Sequence, residues 1–166
     1  MPDRKTMERA AEDKREGKAP TTQAGEFVRE EMHHIREGKH GARSTKQAIA
    51  IGLSKARRAG VKLPAPKKGT VSEETRKSAA RETAVGARGA KPASRRRSRA
   101  ITAALKREGH TAASKTALAR QAKSAAQKRT AGARSAAARK AVKTKGPTLR
   151  SAAARKAART RARSTG

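Results

Sequence analysis

The sequence contains no cysteine, tryptophan or tyrosine, and Phe27 is its single phenylalanine. Without cysteine the chain can form neither a disulfide bond nor a thiolate-ligated metal site. The missing aromatic rings also remove the base-stacking surfaces that single-strand and RNA-binding modules commonly use. These absences exclude a disulfide scaffold and disfavour recognition by base stacking.

Large apolar residues are scarce as well. Leu, Ile, Val and Phe together account for 15 of the 166 residues, a content that is typical of disorder in a highly charged chain. No apolar run approaches the roughly 18 residues of a membrane span. The N-terminal segment lacks a signal-peptide core and is too acidic for a transit peptide. We therefore expect a cytoplasmic chain with no membrane partner.

Acidic residues almost disappear after residue 40. The chain has 44 basic and 13 acidic residues, a net charge of +31. Residues 1–40 hold nine of each sign, residues 41–70 hold eight basic and no acidic residues, and residues 91–166 hold 23 basic and one acidic residue. Charge of one sign at this density attracts polyanions over long distances. The composition predicts a nucleic-acid partner.

The pattern predicts a mostly α fold, with a small helical module of two or three helices at residues 1–65. Helices are expected over residues 3–16, from Thr22 to just before Gly38, and from a capping box at Ser44 and Gln47 to Gly60. The second and third helices should pack as a hairpin. The predicted core consists of Phe27, Val28, Met32, Ile35, Ile49, Leu53, Val61 and Leu63.

The remaining residues are predicted to be a linker at 66–93 with one short helix, followed by a basic Ala/Arg/Lys-rich arm at 94–166. The arm repeats Arg-Ser-Ala-Ala-Ala-Arg-Lys-Ala at 134–141 and 150–157. Breakers include Pro92 and the Gly146-Pro147 pair. Alanine favours helix, whereas like charges one turn apart oppose it. We expect a marginal module and a largely disordered arm whose helix-forming segments fold on nucleic acid.

The candidate nucleic-acid-binding residues are the cations of the third helix, its flanking loops and the arm, because phosphate contacts supply affinity without sequence information. In the module and linker they are Lys39, Arg43, Lys46, Lys55, Arg57, Arg58, Lys62, Lys67 and Lys68. In the arm they are Arg95, Arg96, Arg97, Arg99, Lys106, Arg107, Lys115, Arg120, Lys123, Lys128, Arg129, Arg134, Arg139, Lys140, Arg150, Arg155, Lys156, Arg159, Arg161 and Arg163.

The loop at residues 38–45 superficially resembles a phosphate-binding loop. It lacks the Gly-Lys-Ser/Thr order and a preceding strand, which excludes a nucleotide site of that kind. Two interpretations stay open. One is a plain loop and cap; the other is a helix N-terminus that seats one backbone phosphate between Lys39 and Arg43.

Three histidines, His33, His34 and His40, lie near Glu30 and Glu37. We expect them to be exposed and paired with glutamates, with no metal site and no cofactor, because the pattern indicates no inward-facing pocket. No arrangement of nucleophile, base and carboxylate stands apart from the surface charge, so no catalytic residue and no enzymatic activity is expected.

One stretch resembles a known family. The run GEFVREEMHHIREGKHGARSTKQAIAIGLSKARRAG at residues 25–60 resembles small bacterial proteins catalogued as domain of unknown function 6496, over about residues 5–69. The resemblance implies a bacterial, cytoplasmic protein and supplies no activity. The arm resembles, in composition only, the Ala/Lys-rich tails of histone H1-like linker histones and of bacterial histone-like proteins.

The favoured function is that of a non-enzymatic, sequence-nonspecific, nucleoid-associated DNA-binding protein that compacts or protects DNA. The alternative is an RNA-binding or ribosome-associated accessory protein. Self-association through the module is a further expectation, with the glutamates of residues 26–37 meeting the basic face of another copy.

Overall fold

Seven α-helices and one 3-10 turn follow one another in the computed structural model, which describes residues 2–89 and 94–164. The helices are α1 (Arg4–Arg15), α2 (Pro20–Arg36), α3 (Thr45–Arg58), α4 (Glu73–Ala87), α5 (Arg95–Lys106), α6 (Lys115–Gln127) and α7 (Ala131–Ser164), and the 3-10 turn is Thr111–Ala113. The described residues contain no strand. The chain divides into two compact units, residues 1–121 and 122–166.

The three predicted N-terminal helices are present, and their ends follow the local sequence signals. Gly17 and Gly60 have φ values of 70° and 90° just beyond α1 and α3, which confirms both as stops. The Ser44 side chain accepts the Gln47 N–H at 3.2 Å, as a capping box requires. The Gln47 side chain, however, accepts the N–H of Arg43 at 2.8 Å, one residue earlier than that motif predicts.

α2 and α3 pack closely as a hairpin, as predicted. A Cβ added at Gly52 would lie 2.7 Å from the Cα of Val28, so only glycine allows this approach. Around the crossing, Phe27, Val61 and Leu63 are buried with alanines of α1, α2 and α3, and Leu53 packs against them. Met32 and Ile35 are buried in a second cluster, bordered by partly buried Val28 and Ile49. The predicted core is confirmed.

The second cluster is completed by residues from far along the chain. Ala112 and Ala113 are buried beside Ala42 and Ala48, and Leu118 packs against the same cluster. Four hydrogen bonds fix residues 105–113, which we call the docking segment, to residues 36–45. The donor and acceptor pairs are Gly41 N to Leu105 O at 2.9 Å and Ala42 N to Gly109 O at 3.0 Å, Thr45 Oγ1 to Ala112 O at 2.7 Å, and Arg36 Nε to Ala113 O at 2.8 Å.

α4 packs against α3. Its N-terminal cap is Ser72, whose Oγ accepts the Thr75 N–H at 3.3 Å, in agreement with the short helix predicted in the linker. Thr83 Oγ1 donates to the Leu63 carbonyl at 3.2 Å, and Gly86 lies against the Arg57 carbonyl. Pro92, predicted to break the chain here, lies outside the described residues.

The expectation of a small module followed by a largely disordered arm is wrong. α5, α6 and α7 form most of residues 95–164, so the arm is helical. The spacing of the cations explains the difference, because only four pairs of like charges lie four residues apart in these helices: Arg95 with Arg99, Arg139 with Lys143, Arg155 with Arg159, and Arg159 with Arg163. Such a pair costs only about 0.2–0.5 kcal/mol, and alanine fills most other positions.

α7 is interrupted once. Gly146 has φ 65° and ψ 172°, and Pro147 follows it inside the helix. The interruption separates the two repeat copies, as the Gly-Pro pair predicts. No described helix is long and apolar enough to cross a membrane.

Gly41 provides a test of the docking segment. A Cβ at this residue would overlap the carbonyl oxygen of Glu108, and backbone cannot rotate away as a side chain can. We expect Gly41→Ala to lower the free energy of unfolding by about 1–3 kcal/mol and to speed amide hydrogen exchange at Ala42.

Gly25→Ala is the matched control, because an added Cβ there meets nothing within 4 Å. It should raise the free energy of unfolding by up to about 1 kcal/mol through helix propensity. Equal stability of the two variants in denaturant titrations would contradict the packing described for Gly41.

Candidate nucleic-acid interface

Nearly all the predicted nucleic-acid-binding cations lie on the surface. Of the 29 residues, 27 are exposed, and Lys55 and Arg57 are the exceptions. Arg95, Arg96, Arg97 and Arg99 form the first turns of α5. Within the second unit, residues 122–166 contain 14 basic residues and no acidic residue. Every basic side chain described in that unit is exposed.

The repeat in α7 arranges its cations in register. With 100° per residue, Arg139, Lys140 and Lys143 fall within an arc of about 100° on the helix surface. The same arc recurs in the second copy at Arg155, Lys156 and Arg159, sixteen residues later. Arg134 and Arg150 lie on the opposite side of the helix. In the second half Arg163 extends the stripe and Arg161 lies on the opposite side with Arg150, so the stripe carries more cations than the side behind it.

Two of the predicted cations are engaged inside the first unit. The Arg57 side chain is 8% exposed and its Nη1 lies 4.0 Å from Glu82 Oε2, while Ser54 Oγ donates to the other Glu82 oxygen. Lys55 is 26% exposed, with its Nζ 2.6 Å from Glu31 Oε2. Both charges are already compensated by carboxylates, so we do not include them in an interface with phosphate.

The loop before α3 is covered by the docking segment. The amides of Gly41 and Ala42 donate to the carbonyls of Leu105 and Gly109, so these two groups cannot bind a phosphate. Lys39 and Arg43 are both exposed. Lys39 lies 3.0 Å from Glu37, and this hydrogen bond lowers the pKa of Glu37 and raises the pKa of Lys39. The geometry favours the interpretation of this segment as a plain loop and cap.

The expectation that His33, His34 and His40 are all exposed is wrong, because two of them lie in a partly buried cluster with glutamates of α2. Glu30 and Glu31 are buried, with 4% and 0% of their surface exposed, and the side chains of His34 and His40 are each 13% exposed. His33 and Glu37 are exposed as predicted. We call Asp3, Glu30, Glu31, His34, His40 and Lys55 the carboxylate–histidine cluster.

Three segments bring this cluster together. The backbone N–H of Asp3, just before α1, donates to Glu30 Oε2 at 3.1 Å, and its carboxylate lies 3.3 Å from His34 Nε2. His40, in the loop after α2, places Nε2 at 3.3 Å from Glu31 Oε1. Lys55 reaches both glutamates from α3. The glutamates are therefore paired within the chain, and of the acidic face considered for self-association only Glu37 is exposed.

The sequence did contain one signal of this cluster. Glu31 and His34 are three residues apart on one helix, the Glu-x-x-His spacing that places a carboxylate and an imidazole side by side in helical metal sites. The apolar periodicity of α2 gave no indication that Asp3 and Lys55 would cover the same face, because those contacts join residues 24 or more positions apart.

Comparison with known proteins identifies one region of the chain. Residues 19–68 match the model described as Family of unknown function (DUF6496). The resemblance predicted from residues 25–60 is thus confirmed, over α2, α3 and the segment that follows. No curated protein and no solved structure is similar to the chain.

Lys55 tests the importance of charge pairing in the cluster. Lys55→Met would leave Glu31, and in part Glu30, as buried carboxylates without their cation, which typically costs about 3–5 kcal/mol when one partner of a buried pair is removed. Lys46→Met, at an exposed position of the same helix, should change the free energy of unfolding by less than about 0.5 kcal/mol. Denaturant unfolding of both variants at pH 7 tests this prediction. Similar losses of stability in the two variants would show that the charge pairing of Lys55 does not contribute to the free energy of unfolding.

Proposed function

We propose that this protein binds duplex DNA without sequence specificity, as a nucleoid-associated, histone-like protein of the cytoplasm that neutralises phosphates and compacts or protects DNA. The observation that carries the proposal is the charge of residues 122–166, with 14 basic and no acidic residues. A segment without acidic residues, whose described basic side chains are exposed, attracts an external polyanion.

The register of α7 supports a backbone contact. Eighteen residues of helix, the length that follows Gly146, extend for about 27 Å, close to one turn of B-DNA at about 34 Å. Over that length the helix carries six cations, Arg150, Arg155, Lys156, Arg159, Arg161 and Arg163, with alanines between them. Contacts of these cations with phosphates supply affinity without sequence information, so we expect similar binding to unrelated duplexes.

Duplex DNA is favoured over RNA by the lack of stacking residues. The chain has one aromatic side chain of the Phe, Tyr and Trp types, Phe27, and it is 1% exposed in the core. It is therefore not available to stack on an unpaired base. A protein whose contacts are cations on helices depends on phosphate density, which is high and regular in a duplex.

The salt dependence of binding provides the test. Each phosphate contact contributes about 0.9 to the slope of log K against log[salt] on B-DNA. The variant Arg139→Gln, Lys143→Gln, Arg155→Gln, Arg159→Gln removes four exposed cations of the basic stripe. We expect it to reduce the magnitude of the slope by about 3–4, with the affinity remaining similar among unrelated duplexes.

A control with the same change in net charge replaces Arg4, Lys5, Lys14 and Arg15 of α1 with glutamine. These residues are exposed, but they lie in the part of the chain where acidic and basic residues balance, so the slope should change by less than about 1. Equal effects of the two variants would contradict a contact through α7. A strong preference for structured RNA over duplex DNA at fixed salt would instead support the RNA-binding alternative.

A further inference from the structure

Two buried carboxylates in the first unit have less positive charge around them than they need. Among the described residues, Lys55 is the one lysine or arginine within 4 Å of Asp3, Glu30 or Glu31. Asp3 is exposed, so the buried or half-buried charges of the carboxylate–histidine cluster are those of Glu30, Glu31 and Lys55. Buried charges are stable only when they are paired or bound to a metal, and with neutral imidazoles this group is one positive charge short.

The contacts of His40 show where this positive charge is missing. Its Nδ1 lies 3.1 Å from the carbonyl oxygen of Gly41, and a carbonyl can only accept, so Nδ1 carries a proton. In a neutral ring Nε2 is then a bare lone pair, and it faces the Glu31 Oε1 lone pairs at 3.3 Å. Glu31 Oε1 receives no hydrogen bond within the described part of the chain. Two acceptors in contact require either a proton or a metal ion between them.

We propose that Glu31, His34 and His40 form a binding site for a divalent transition-metal ion of the Zn²⁺ type. Their ligand atoms all lie within 4.8 Å of one another. Tetrahedral bonds of 2.0–2.2 Å bring ligand atoms to about 3.4 Å apart, so a small contraction closes the site. Glu31 is fully buried, and both histidines are largely shielded from solvent.

The donors and their outer contacts match this chemistry. Two imidazoles with one carboxylate select zinc-like ions over Mg²⁺ and Ca²⁺, which prefer oxygen ligands. Metal-bound histidines usually donate their second ring N–H to a carbonyl or carboxylate, as His40 does to Gly41. Lys55 contacts Glu31 through Oε2, which leaves Oε1 for the ion. A fourth position remains for water, as in zinc sites with three protein ligands.

The site would connect α2 to the loop that receives the docking segment, because His40 directly precedes Gly41 and Ala42. An ion that binds the folded chain but not the unfolded chain raises the unfolding temperature of the protein by mass action. This inference is independent of DNA binding, since none of the three ligands belongs to the candidate nucleic-acid interface.

The test adds ZnCl₂ to the metal-free, full-length protein at pH 7.5 and follows calorimetry, thermal unfolding and the imidazole resonances in long-range ¹H–¹⁵N spectra. The chain has four histidines, so each ring can be observed. We expect one equivalent of Zn²⁺ to bind, the unfolding temperature to rise, and the rings of His34 and His40 to shift while those of His33 and His110 stay in place. MgCl₂ should produce none of these changes.

The matched variants are His40→Gln and His33→Gln, since His33 is an exposed neighbour of the site on α2. His40→Gln should weaken Zn²⁺ binding by more than the roughly 10–100-fold that loss of an outer-shell partner costs, and His33→Gln should leave it unchanged. If His40→Gln does not fold, the imidazole shifts of the unaltered protein on addition of Zn²⁺ still test the proposed site. Absence of shifts at His34 and His40, or equal shifts at all four rings, would overturn the proposal and assign the missing charge to a protonated imidazole.

Discussion

Burial of the adjacent carboxylates Glu30 and Glu31 is the constraint on which the first unit depends. Carboxylates are rarely buried unless they are paired, and here the pairing joins three segments of the chain. Lys55 reaches the glutamates only because Gly52, one turn earlier in α3, brings the backbone of that helix against Val28 of α2. The apolar contact and the ion pair are thus consequences of one helix crossing. A substitution that alters the Gly52–Val28 contact would therefore also alter the geometry of the Lys55–Glu31 pair.

The helices and the hairpin core could be predicted because their signals are local. Apolar residues at helical spacing, the Ser44 cap and the glycine stops each act within a few residues. Docking of residues 105–113 had no such signal, since its buried groups are alanines and backbone carbonyls that occur throughout the arm. The order of the arm was misjudged for a different reason: repulsion between like charges one turn apart was given more weight than the helix propensity of alanine, although such pairs are few in these helices.

The family-matched region and the compact unit do not coincide. Residues 19–68 include α2 and α3, but the two core clusters also bury Ala10, Ala112 and Ala113. The core residues lie mostly within residues 19–68, whereas the excess of positive charge lies mostly beyond them. Residues 69–166 carry 27 of the 44 basic residues and only four of the 13 acidic ones. The matched region therefore contributes most of the packing, and the sequence beyond it contributes most of the proposed phosphate contacts.

The docking segment also determines the order in which the two core clusters can be completed during synthesis. The cluster around Phe27 has all of its residues once Leu63 has been made, whereas the cluster around Ile35 needs Ala113, fifty residues later. At about 5–20 residues per second, a ribosome takes roughly 2–10 s to cover that distance. During this interval Met32 and Ile35 lack the alanines that complete their cluster. The nascent chain therefore exposes this apolar surface for several seconds after the first cluster is complete.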